Sequence, residues 1–206
     1  MWEGIIKFIR GWKYNTHPER IAYKTRDIAM NGAMAAFNFF RDEKFRELSG
    51  FARLGEEEQN RIFNELTVTN LVLAILLLEQ KAREENGEEK KNYLRALRDA
   101  LPDNFIAYLA EQGIPGEFVE IWKKLIDLRR DEYAENMRAY RQELFAAGDK
   151  TMAAVAADNK LLIFQTVVFG LYDHIVRGMV KKDDPLYLYL QPYLLGHYKE
   201  FLKYMI

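Results

Sequence analysis

Apolar residues along this chain recur at helical spacing, and glycine and proline fall between the periodic stretches. The pattern predicts an all-α fold with helices near 2–14, 18–48, 56–84, 88–100, 103–112, 116–147, 150–181 and 185–206. The segment 116–147 has the cleanest period. Val119, Trp122, Ile126, Tyr133, Met137, Tyr140 and Leu144 form one stripe, broken only at Arg129-Arg130. Three segments, 18–48, 56–84 and 150–181, are apolar almost all round in their middles, so other helices should cover them on most sides. The expected architecture is a single-domain helical bundle of about seven to eight helices over residues 1–206, with those three at the centre. The other helices then lie outside.

Local signals mark the boundaries. Thr16-His17-Pro18-Glu19 reads as a capping box with proline at the first turn. Glu56, Glu57 and Glu58 place negative charge at a helix start, and Lys181-Lys182 place positive charge at a helix end. Gly113 and Gly148 follow helices where a left-handed residue closes the last turn, and Asp184-Pro185 restarts the chain. Pro192 should kink the last helix.

The longest charge-free runs are Ile28–Phe40, Leu66–Leu78, Leu161–Tyr172 and Pro185–Tyr198, of 12 to 14 residues each. A membrane span needs about 18 or more, so these read as core helices. The amino-terminal residues show no long apolar leader, and a cytoplasmic location is the expectation. Residues 1–14 set Trp2, Ile5, Ile6, Phe8, Ile9 and Trp12 against Lys7, Arg10 and Lys13. That is an amphipathic helix, and docking on the bundle is favoured over lying on a membrane surface.

Composition narrows the chemistry. With no cysteine and three histidines, thiol catalysis and cysteine-based zinc sites are excluded, and neither a cofactor nor a metal is expected. Thirty basic against 31 acidic residues give a net charge of -1, and no compact basic reading head opens the chain, so no nucleic-acid partner is expected. Nucleotide-binding glycine loops and a serine-hydrolase elbow are missing. His197 with Glu200 reverses the Glu-x-x-His spacing of di-metal bundles and reads as a surface pair. Asp127, Asp131 and Glu135 line one side of their helix, but neighbouring Lys and Arg make an ion-pair network the simpler account. Asp173 should pair with Arg177, four residues on.

No set of ionisable groups converges to suggest a catalytic residue. The leading expectation is a non-enzymatic bundle acting through protein–protein contact as a homodimer, with aromatic surface candidates in 2–14, 116–147 and 185–206. Tyr187, Tyr189, Tyr193, Tyr198 and Tyr204 read as packed, either on the bundle itself or across a subunit boundary. The alternative is a small-molecule binding protein or enzyme with an apolar pocket between 18–48, 56–84 and 150–181. Its polar contacts would be Asn31, Asn38, Asn70, Gln165 and His174. Peripheral membrane association through residues 1–14 is the third reading.

Overall fold

A computed structural model describes residues 14–177 and 183–204. The amphipathic helix expected at 2–14 lies outside them except for Tyr14, as do Lys181, Lys182, Met205 and Ile206. The described residues form an all-α bundle: α1 Pro18–Phe40, α2 Glu43–Leu48, α3 Glu56–Glu84, α4 Glu88–Glu111, α5 Gly116–Ala146, α6 Lys150–Ala157, α7 Asn159–Val176 and α8 Pro185–Tyr204, with a 3₁₀ turn at Phe51–Arg53.

Helix α3 is the axis. Every residue from Glu65 to Leu78 is buried, a run about 20 Å long, and α1, α4, α5, α7 and α8 all pack on it. It is also the one described helix long and apolar enough to cross a membrane, but 83% of its most apolar window is buried within this fold. Around it lies one contiguous core that includes Ile28, Leu73, Leu97, Tyr133, Val167 and Leu190.

Helix α1 corrects the expectation for 18–48. Only one side is buried, through Ile21, Thr25, Ile28, Ala29, Gly32 and Ala36, while Tyr23, Met30, Met34 and Phe37 are exposed. It is a peripheral helix whose apolar outer face resembles a core face in composition. It also stops early: Asp42 leaves helical geometry and its carboxylate accepts from the Phe45 N–H at 2.8 Å, capping α2. The capping box at Thr16–Glu19 is not formed. His17 is the cap residue, without a side-chain hydrogen bond, and Pro18 supplies the first turn.

Two further boundaries differ. The segments expected at 88–100 and 103–112 are one helix running through Pro102, because Leu94, Leu97, Leu101 and Phe105 continue a single buried stripe across it. The segment 150–181 is instead two helices at 93°. Asp149 caps α6 at Thr151 and Met152, and Asp158 caps α7 at Lys160 and Leu161. The stripe on α5 is buried or half-buried as its spacing implies, and Gly113 and Gly148 are left-handed.

Candidate ligand-binding site

Helices α1 and α8 come together at Gly32, where even an added Cβ would make only ordinary van der Waals contacts. A Cβ there would lie 3.7 Å from Asn70 Cβ and 3.8 Å from His197 Cε1. Beside this crossing the helices part into an open cleft of about 510 Å³. One wall is Ile28, Asn31, Met34, Ala35, Asn38 and Phe39, at helical spacing on α1, and Asp42 closes its end. The other is Tyr193, His197, Glu200 and Phe201 on α8.

Asn70 of α3 lies beneath, fully buried. Its amide nitrogen donates to the Gly32 carbonyl at 3.0 Å and to the Tyr193 hydroxyl at 2.6 Å. The Gly32 carbonyl can only accept, which fixes the amide's orientation. Asn70 Oδ1 has no hydrogen-bond partner among the described residues. Tyr193 accepts from Asn70, so its own proton is free to donate. Phe39 stacks on Tyr193 with centroids 3.8 Å apart, and Tyr189 lies 5.7 Å away on the same ring. The Tyr189 hydroxyl donates to Asp42 at 2.9 Å.

Burial governs protonation here. It pushes the Tyr193 phenol up, with the Asn70 hydrogen bond acting weakly the other way. It lowers His197 from the ordinary 6.5 to about 4, against a hydrogen bond with the Asn70 backbone. At neutral pH the floor therefore presents an uncharged imidazole and an un-ionised phenol, one donor and one acceptor on an apolar surface.

The same shift predicts a pH dependence. Below about 6.5 the unfolded chain takes up a proton that folded His197 refuses, so stability falls as pH drops toward 4. Between pH 7 and 5 the loss should be about 2 kcal/mol. Carboxylates held below their ordinary range, such as Glu132, give up stabilisation only below about pH 4.5. Urea denaturation at the two pH values checks this. His197→Gln should flatten the difference, and an undiminished loss in that variant would exclude His197 as its source.

The sequence-derived site residues are divided. Asn31 and Asn38 stand exposed on the cleft wall, Asn31 donating to the Asp27 carbonyl at 2.8 Å, and Asn70 lies below them. Gln165 is elsewhere, accepting from the Tyr187 hydroxyl at 3.4 Å. His174 is also elsewhere, its Nε2 3.0 Å from Glu132. The cleft thus lies between the first and last described helices, and α7 does not contribute to it. Tyr193 and His197, read from sequence as interface and surface residues, are its polar floor. Their spacing of four within the charge-free run Pro185–Tyr198 was the available signal.

His174 belongs to a second polar cluster. Glu65, 4% exposed, grips Arg129 through both oxygens, at 2.6 and 2.9 Å. Arg129 also meets Glu132 at 2.7 Å, and Glu132 turns its other oxygen to His174. Burial opposes the charge on Arg129, but the Glu65 bond and the two carboxylate charges outweigh it and hold its pKa above the ordinary value. Burial likewise acts to raise Glu132, and His174 with Arg129 outweighs it downward. Tyr133, fully buried alongside, shares a 3.1 Å hydrogen bond with Thr69. The expected Asp173–Arg177 pair is absent. Arg177 turns left-handed at φ 53 and reaches Glu58 at 3.0 Å, while Arg61 donates to the last carbonyls of α7, those of His174 and Ile175.

No protein-family model, curated protein or solved structure matches this chain.

Proposed function

We propose that this protein binds a small, largely apolar molecule in the cleft between α1 and α8. The observation that carries the reading is the cleft's lining: Ile28, Met34, Ala35 and Phe39 face Tyr193, whose hydroxyl accepts from the buried Asn70 amide and keeps its own proton to give. The volume falls within the range of small-molecule sites, roughly 300–1,000 Å³. Tyr193 and neutral His197 would orient a carbonyl or hydroxyl, and Phe39, Met34 and Ile28 would hold the apolar body.

The homodimer expected from sequence finds material on α5, where Phe118, Ile121 and Leu128 are exposed on one side. Nothing on that face points to what covers it, and the cleft therefore carries the functional reading.

The neutral dye N-phenyl-1-naphthylamine tests it. Saturable binding at one site per chain is expected. Ala35→Trp, which places an indole in the cleft from a half-buried wall position, should weaken it by about tenfold or more. Equal binding by that variant, or no saturable binding by the parent chain, would overturn the proposal.

A further inference from the structure

A second cleft, of about 340 Å³, runs between α5 and α7 and shares no residue with the first. Three carboxylates face it: Glu132, Glu143 and Asp173. Glu132 is already committed to Arg129 and His174. Glu143 and Asp173 are exposed and make no ion pair among the described residues. No lysine or arginine of the described residues lines the cleft. The guanidinium of Arg129 is held by Glu65 and Glu132; that of Arg141 donates to the neutral Asn159 amide oxygen, leaves its Nε unpaired, and is not part of the lining.

An acidic group alone is a solvated surface, and a second feature distinguishes this one. Thr166 lines the same cleft at 4% exposure, and its hydroxyl has no hydrogen-bond partner. A helical threonine ordinarily bonds the carbonyl one turn back, as Thr25 and Thr67 do here at 2.8 and 3.0 Å. Thr166 leaves that bond unmade, and the residue is part of the cleft's lining. Tyr140 and Phe169, edge to face at 5.7 Å, supply an aromatic wall that accepts a cation or an apolar body.

We infer that this cleft binds an organic cation, a primary ammonium carried on a small apolar or aromatic body. The ammonium has three donors and no acceptor. Glu143, Asp173 and the Thr166 hydroxyl are the matching acceptors, and the body lies against Tyr140 and Phe169. A carboxylate ligand would meet like charge on both walls.

Benzylammonium, benzyl alcohol and benzoate share one ring and differ in charge, so they serve as probes. Each is titrated into the ¹⁵N-labelled full chain at constant ionic strength, following the amides of Thr166 and Gly170. Benzylammonium should shift them saturably at millimolar concentration, and benzoate should not. In the doubly neutral variant Glu143→Gln/Asp173→Asn, whose side chains are exposed, affinity should drop by about tenfold. Thr166→Val should weaken binding several-fold while leaving the melting temperature unchanged or higher, since the unligated chain loses only an unpaired hydroxyl. Benzyl alcohol matching benzylammonium, unchanged affinity in either variant, or no saturable shift with benzylammonium would overturn the inference.

Discussion

Arg129→Met should destabilise the fold by about 3–5 kcal/mol, the largest single effect expected here. Arg129 is 13% exposed at its side chain, and Glu65 opposite is 5% exposed. Removing the guanidinium leaves the Glu65 carboxylate in the core without a counter-charge and Glu132 without its second partner. The cost is therefore dominated by stranding a charge, and the intrinsic worth of the pair is a smaller part. That distinction has its own signature. The double variant Glu65→Leu/Arg129→Met should recover most of the loss, because it removes both buried charges together. Urea denaturation of the four chains in a double-mutant cycle measures the coupling. A single-variant loss under about 0.5 kcal/mol would mean that water reaches the pair and the charges are not truly buried.

Gly170→Ala should cost about 3 kcal/mol or more by overpacking. A Cβ at Gly170 would sit 2.2 Å from Tyr133 Cε1. The obstructing atom belongs to a ring that is 0% exposed and anchored at its hydroxyl by Thr69, so it has nowhere to turn. For a chain of this length the melting temperature should drop by roughly 6–12 °C. The internal control is Gly196→Ala on α8. That glycine is helical and exposed, with nothing within 4 Å of an added Cβ. The same substitution there should be neutral or stabilising by up to about 1 kcal/mol. Melting temperatures that fall equally in both variants would refute the steric account.

What could be read in advance was whatever depends on neighbours in sequence. The charge-free run Leu66–Leu78 marked α3 as a covered helix, and it is the axis of the bundle. The stripe on α5 was legible for the same reason. Its interruption was also informative: Arg129 holds a buried register position, which implies a buried acid, but periodicity cannot say that the acid is Glu65, 64 residues earlier. The errors at boundaries came from competing local signals. Asp42 and Asp158 are ordinary polar residues until their carboxylates reach backbone amides, and Pro102 breaks a helix only where tertiary packing does not carry the helix through. Helix α1 misled because methionine and alanine on an outer face look like core. The candidate site was half legible. A lone asparagine inside an apolar run invites the question of its partner, yet that partner, Tyr193, is 123 residues away.

That separation has a kinetic meaning. Contacts between distant parts of a chain close late, since the intervening loop must lose its freedom first. A molecule assembled only through α7 has α1 and α3 in place but offers Asn70 to water. Arrival of α8 creates both the floor and the far wall at once. Occupancy of the cleft would therefore discriminate between the finished bundle and any intermediate short of it, and a bound molecule would act as a clasp between two helices remote in sequence.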